Sequence, residues 1–161
     1  MRRAWIAAAA LALSLGSGGL QSQSRNPLVG VWTVAEIVSP QGEGNRNPQP
    51  TVYIFTARHY SHVSVTSTMP RPTYTGPNVT DAQMVEMWQP FSATAGTYEV
   101  RGNELTIRPM VAKNPGFMNR RSFTTFALTV EGKDMWIRAT QADSGPIPSA
   151  SANRVRLVRL E

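Results

Sequence analysis

The chain has 161 residues, a formal net charge of +6 and no cysteine. This length suits one domain, and the lack of cysteine excludes disulfides and thiol chemistry. The basic residues are mostly arginines scattered singly, apart from Arg120-Arg121 and a short series near the C-terminus. Because nucleic-acid-binding domains cluster their basic residues on one face, we expect no nucleic-acid partner.

Residues 1–24 are predicted to be a secretory signal peptide. They contain a short basic start (1–3) and an apolar run (4–15) that is too short to span a bilayer. An uncleaved anchor is the alternative, which the short run disfavours. Cleavage between Gly18 and Arg25 would remove Arg2 and Arg3 and lower the formal charge from +6 to +4. We therefore expect residues 25–161 to form a periplasmic or secreted domain, with no stable membrane insertion after signal cleavage.

The mature chain begins with a predicted strand, Leu28–Ser39, which is rich in Val and Ile. If Trp32 points inward, strand alternation carries Val34 and Glu36 to the same face. An inward carboxylate would need an Arg partner or would mark a polar function. Residues 41–50 are rich in Gly, Asn and Pro and predict a loop.

A hairpin is predicted next, with strands over residues 51–56 and 60–67 that turn at Ala57-Arg58. This register places Phe55 opposite Tyr60 and Tyr53 opposite His62. One face of the hairpin then carries aromatic and polar residues, and the other carries Val and Ile. Both faces suit burial, so the pattern leaves the inner face open.

One short helix is predicted after a Pro-rich extended loop over residues 68–79. Thr80 and Gln83 have the spacing of a capping box, and Pro90 ends the helix. The apolar residues of this region form one stripe, which we expect either to pack into the core or to lie as a lid over a barrel mouth. The stripe consists of Met84, Met87, Trp88 and Phe91.

Two further hairpins use the same kind of turn, at Gly102-Asn103 and at Gly132-Lys133, where glycine supplies the positive φ of a tight turn. The register predicts four cross-strand apolar pairs on the inner face. They are Val100 with Leu105, Tyr98 with Ile107, Leu128 with Ile137 and Val130 with Met135. A last strand, Arg154–Leu160, mixes Arg with apolar residues, as suits a closing or edge strand.

These elements amount to about eight antiparallel strands, mostly joined by short turns, with one short helix between strands 3 and 4. Eight antiparallel strands that close into a barrel leave no free edge and enclose room for side chains or one small ligand. A β-sandwich is the alternative arrangement. The consecutive hairpins favour the barrel.

A set of motifs, in order along the chain, resembles the bacterial lipocalin-like domain proteins. The motifs are Leu28-Val29-Gly30-Val31-Trp32, Tyr53-Ile54-Phe55-Thr56 followed by His59-Tyr60-Ser61, Thr80-Asp81, Gly96-Thr97-Tyr98-Glu99-Val100 with Gly102-Asn103, and Val111-Ala112-Lys113-Asn114-Pro115. The resemblance covers most of the mature chain and implies an all-β, eight-stranded antiparallel lipocalin-like β-barrel in which Trp32 closes one end. It implies little about chemistry, because most such proteins are uncharacterised and a fold does not specify a function.

The candidate ligand-binding residues combine a polar cluster on the first hairpin with apolar residues expected at the barrel mouth. They are Tyr53, Tyr60, His62, Met84, Trp88 and Met118. A histidine with two phenols can orient a ligand or move a proton, and a purely structural cross-strand cluster is the alternative. Met side chains adapt to varied apolar ligands. His59 and His62 point to opposite strand faces and have no carboxylate pair nearby, so we expect no metal site.

The leading functional hypothesis is a periplasmic or secreted protein that binds a small, mostly apolar molecule in the barrel. The alternative is a cofactor-free isomerase- or cyclase-type enzyme that uses the same cavity, with His62 and Tyr53 as its acid–base groups. A third hypothesis is an interaction module built on an apolar patch around Phe117. No nucleophile motif or phosphate-binding loop is present, and the sequence does not decide whether the protein is an enzyme.

Overall fold

The computed structural model describes residues 26–161, and the predicted signal peptide, residues 1–24, lies outside this range. The described chain is mostly β-sheet, with one α-helix. The strands are β1 (Gly30–Val38), β2 (Gly44–Asn45), β3 (Thr51–Phe55), β4 (His59–Val65), β5 (Phe91–Arg101), β6 (Glu104–Ala112), β7 (Thr124–Glu131), β8 (Asp134–Ala142), β9 (Gly145–Pro146) and β10 (Arg154–Arg159), and the helix is α1 (Asp81–Trp88).

Eight of these strands form a closed antiparallel barrel. They pair in the order β10-β1-β3-β4-β5-β6-β7-β8, and β8 pairs with β10 to close the ring. The two-residue strands β2 and β9 lie outside this ring and pair with β1 and β8, respectively. The predicted fold class, an eight-stranded antiparallel lipocalin-like β-barrel, is confirmed. The helix was predicted between strands 3 and 4. It lies between the third and fourth barrel strands, and between the fourth and fifth strands when the two-residue strand β2 is counted.

The hairpin registers follow the sequence prediction. Val100 pairs with Leu105 and Tyr98 with Ile107, and the equivalent pairs occur in the β7–β8 hairpin. Gly102 and Gly132 open the two turns with φ values of 58° and 63°, which a residue with a Cβ adopts only at a cost. The turn glycines therefore fix which residues of each hairpin face the core.

The core is the barrel interior, and on β3 and β4 the inner face is the aromatic and polar one. Phe55 and Tyr60 are each 3% exposed and pack against the buried cluster. Val52, Ile54 and Val63 point outward instead, with exposures of 39%, 42% and 41%. Closure of the barrel thus selects the face that the sequence pattern left open.

A β-bulge in β1 changes the direction of Glu36. The register shifts between Val34 and Glu36, so that Glu36 pairs with Arg156 while Ile37 turns inward. Glu36 forms ion pairs with Arg46 at 3.1 Å and with Arg156 at 3.3 Å. The hydrogen bond from Arg46 is the main reason that the pKa of Glu36 is lowered. The expectation that Glu36 follows Trp32 and Val34 inward is wrong, because the bulge adds one residue to the alternation.

One end of the barrel is closed by Trp32 and Arg159. The Trp32 side chain is fully buried, and its indole Nε1 donates to the Leu28 carbonyl at 2.8 Å. The Arg159 guanidinium lies 4.2 Å from the centre of the Trp32 ring and donates to the carbonyls of Pro27 and Val29. Trp32 therefore plugs one end, as the family resemblance implies, and Arg159 ties the N-terminal segment over it.

Helix α1 has the predicted capping box but not the predicted packing. The Thr80 side chain accepts from the Gln83 backbone N–H, and the Gln83 side chain accepts from the Thr80 backbone N–H. No α1 residue is buried, and Met84 and Trp88 are 49% and 56% exposed. Of the two alternatives for the Met/Trp stripe, packing into the core is wrong, because none of its residues belongs to the buried cluster of the barrel. Within residues 26–161, no helix has the length and apolar character needed to cross a membrane.

Candidate functional site

The open end of the barrel lies opposite Trp32. The tight turns at residues 56–58, 102–103 and 132–133 lie at the closed end, so strand direction places the long connections at the other end. These connections span residues 39–50, 66–90, 113–123 and 143–153. Long loops at one end of a rigid barrel are the usual place for a binding site.

A cavity of about 670 Å³ opens at this end, within the size range of small-molecule sites. Its rim is formed by residues of the 39–50 loop, by Val65 at the end of β4 and by residues 66–68 after it. The barrel strands supply its wall. The wall residues include Val34, Ile37, Thr51, Tyr53, His62, Ser64 and Val155. A smaller pocket of about 340 Å³ adjoins this cavity and shares Tyr53 and Val155 with it.

Tyr53 and His62 form a stacked pair on the cavity wall. They are directly opposite residues on β3 and β4, a position that brings side chains into contact across two strands. Their ring centres are 4.1 Å apart and their planes differ by 17°. The Phe55 ring is nearly parallel to the Tyr53 ring: their planes differ by 7° and their centres are 6.2 Å apart. Phe55 belongs to the core beneath the cavity, so the rings on the wall itself are those of Tyr53 and His62.

Burial keeps this pair uncharged at neutral pH. Desolvation lowers the pKa of His62 to about 4, because the barrel interior disfavours the imidazolium. Desolvation raises the pKa of Tyr53, and the nearby Tyr60 hydroxyl adds to the rise. A neutral imidazole offers one hydrogen-bond donor and one acceptor, so the pair can orient a ligand without carrying charge.

Tyr60 lies deeper in the barrel than the cavity. It is 3% exposed and is not part of the cavity lining. Among the described residues, no hydrogen-bond partner meets its hydroxyl group, and burial raises its pKa. The nearby Thr94 side chain offsets part of this rise in pKa, so the Tyr60 hydroxyl has a polar neighbour inside the barrel.

The other three predicted residues lie at the open end but outside the cavity. Met84 and Trp88 are on the exposed helix, where Trp88 packs against Phe91 at 5.8 Å. Met118 is 46% exposed in the 3₁₀ helix Pro115–Met118 and lines a separate surface groove of about 340 Å³. The structure brings together Tyr53 and His62, and it does not bring these three to them. A role for Met84, Trp88 or Met118 in ligand binding stays a prediction.

Several cavity residues were not among the candidates. Ser64 shares the inner face of β4 with Tyr60 and His62, so strand alternation could have found it. Ile37 could not be found from strand alternation, because the bulge in β1 shifts the register before it. The rim residues on the two loops gave no periodic signal. Over residues 26–161, no three His, Asp or Glu side chains are grouped closely enough to hold a metal ion.

The closed ring of eight strands, plugged at one end and open at the other, defines a lipocalin-like β-barrel. The sequence matches no protein-family model and no curated protein. Two solved structures are similar to it, at 13% and 12% sequence identity. One is a lipocalin-like protein from Bacteroides uniformis, with a TM-score of 0.48 over 83% of this chain and 99% of that one. The other is an uncharacterized protein from Bacteroides eggerthii, with a TM-score of 0.45 over 81% of this chain and 98% of that one.

Proposed function

We propose that this protein is exported and binds a small, mostly apolar molecule in the cavity at the open end of the barrel. The observation that supports this proposal is the cavity of about 670 Å³ with the Tyr53–His62 pair on its wall. Val34, Ile37 and Val155 supply apolar surface around that pair. Burial of a ligand against such a wall is favourable in proportion to the apolar area removed from water.

The binding proposal is tested with N-phenylnaphthylamine, an uncharged dye that fluoresces when it leaves water. We expect saturable binding to the wild-type protein. Ser64→Phe fills the cavity from the inner face of β4 and should weaken binding at least about tenfold. Ser61→Phe, on the outer face of the same strand, is the matched control and should bind like the wild type.

Thermal unfolding of each variant separates a blocked cavity from a lost fold. If Ser64→Phe does not fold, Ser67→Phe at the cavity rim replaces it, since a loop position tolerates the larger side chain better. Unchanged dye binding in a folded, cavity-filled variant would contradict the proposal.

The same cavity suits a second function, a cofactor-free isomerase or cyclase, because it places His62 beside Tyr53. The pKa values favour binding over acid–base catalysis. A His62 pKa of about 4 makes a weak base at neutral pH, and the raised pKa of Tyr53 makes a weak acid. A crystal structure with a bound probe would argue against catalysis if no ligand carbon lay within about 6 Å of either group.

Export is proposed from the N-terminal sequence alone. The basic start and the short apolar run of residues 1–15 have the pattern of a signal peptide. We expect the protein from the periplasm or medium to begin between residues 19 and 25, as measured by intact mass. Full-length protein confined to the cytosol would contradict export and leave the binding proposal unaffected.

A further inference from the structure

We propose that the cavity selects uncharged molecules that carry a flat ring and discriminates against anions of the same shape. This inference rests on the proposed binding function and names the class of ligand. It follows from the charges that line the cavity, from the positions of the nearby arginines and from the shape of the wall.

The cavity offers no counter-charge to an anion. Within residues 26–161, no Lys or Arg lines it, and the charged side chain on its rim is that of Glu43. A carboxylate or sulfonate moved from water into this space would lose its hydration without gaining an ion pair. Glu43 would add repulsion of the same sign.

The arginines nearest the cavity lie outside its lining. Arg46 and Arg156 both bind Glu36, and the Arg46 side chain is 84% exposed. Arg138 lines the smaller adjoining pocket and not the main cavity. The guanidinium groups are thus positioned outside the space where an acidic head group would lie.

The polar atoms of the lining are uncharged donors and acceptors. Hydroxyl groups come from Thr51, Ser64 and Ser67, and an amide comes from Gln49. His62 adds a neutral imidazole, because burial lowers its pKa to about 4. These groups can hydrogen-bond to a hydroxyl, carbonyl or amine, but they supply no net positive charge at neutral pH.

The wall favours a flat ring over a flexible chain. Tyr53 and His62, which both line the cavity, already lie face to face with their ring centres 4.1 Å apart. A planar ligand ring can extend this arrangement by offset stacking, which adds to simple apolar burial. A saturated chain would gain only the apolar burial.

The test compares two dyes with one skeleton. N-phenylnaphthylamine is uncharged, and anilinonaphthalene sulfonate has the same rings with one added sulfonate. We expect the uncharged dye to bind the wild-type protein at least about tenfold more tightly than the sulfonate at pH 7. Binding of each dye to Ser64→Phe is also measured. The part of the binding that this substitution removes is the binding in the cavity, and only that part is compared between the dyes.

A positive charge introduced at the rim should reduce the discrimination against the anionic dye. Gln49→Arg places a guanidinium in the lining and should lower the ratio of the two dissociation constants at least about fivefold. Gln41→Arg adds the same charge to the same loop outside the lining and should leave the ratio unchanged.

Flatness is tested separately with cyclohexanol and phenol as uncharged competitors of matched size. Phenol should displace N-phenylnaphthylamine at a concentration at least about threefold lower. Equal cavity binding of the two dyes, or equal competition by the two alcohols, would overturn this inference while the binding function stands. Failure of both dyes to bind would overturn the proposed function and this inference with it.

Discussion

His62 shows how a single side chain connects the fold to conditions in solution. It lies on the inner face of β4 and stacks on Tyr53, and burial lowers its pKa from 6.5 to about 4. Between these two values the unfolded chain binds a proton that the folded chain does not. Linkage therefore makes folding less favourable as the pH falls through this window. Above pH 6.5 both states are neutral at this position and the effect ends.

We expect the free energy of unfolding of the wild-type protein to drop more between pH 7 and 4.5 than that of His62→Gln. The difference should be about 2 to 3 kcal/mol, because one pKa unit corresponds to about 1.4 kcal/mol. Urea denaturation at the two pH values measures it.

His59→Gln is the matched control, since His59 is exposed on the same strand. It should lose as much stability with acid as the wild type. An equal loss in wild type and His62→Gln would mean that the His62 imidazole is solvated in the folded protein.

At the scale of elements, α1 differs from every barrel strand because it buries none of its residues. Its last turn is held from outside the barrel core: Lys113 Nζ donates to the backbone carbonyls of Trp88 and Gln89, Arg71 donates to the Met87 carbonyl at 2.8 Å, and the Trp88 ring packs against Phe91 at the start of β5. Such a helix can open without exposing core surface, so its local stability is low and separate from that of the barrel.

Thr80→Ala removes the side-chain acceptor of the capping box and should destabilise α1 alone. Amide exchange over Asp81–Trp88 should become about fivefold faster, as expected for the loss of about 1 kcal/mol from an N-cap. Global unfolding should change by less than about 0.5 kcal/mol, because no core contact is lost.

Thr73→Ala, in the exposed loop before the helix, is the control and should alter neither measurement. A large drop in global stability for Thr80→Ala would show that α1 supports the barrel.

At the scale of the whole molecule, the closed end joins parts of the chain that are far apart in sequence. Arg159 covers Trp32 and binds the carbonyls of Pro27 and Val29, about 130 residues away along the chain. Gly30, with φ +142°, lets the chain pass close to Arg159 and Glu161, where a Cβ would clash with both. One end of the barrel is thus sealed by contacts between the two ends of the domain.

Arg159→Gln should lower the free energy of unfolding by about 2 kcal/mol, since it removes charge-assisted hydrogen bonds and a cation–π contact. Chemical denaturation followed by Trp fluorescence measures the change.

Arg101→Gln is the matched control, because Arg101 binds Glu99 on the exposed surface of a hairpin. It should change stability by less than about 0.5 kcal/mol. Equal effects of the two substitutions would contradict the sealing role of Arg159.

The sequence by itself determined the local pairings. Glycines at two-residue turns fix hairpin register, so Val100–Leu105 and Val130–Met135 could be paired from short-range rules alone. The capping box likewise needed only Thr80 and Gln83. These features depend on residues a few positions apart, and their physical causes are contained in the segment itself.

Only the tertiary structure decided which faces were buried and where the cavity lies. Closure of β8 on β10 turned the aromatic face of β3 and β4 inward. The bulge after Val34 turned Ile37 into the cavity and Glu36 toward Arg156. The apolar stripe of α1 stayed outside the core, because the strands and Leu28 supply the residues of the buried cluster. Burial depends on what the rest of the chain places opposite a segment, and that partner is not encoded in the segment's own periodicity.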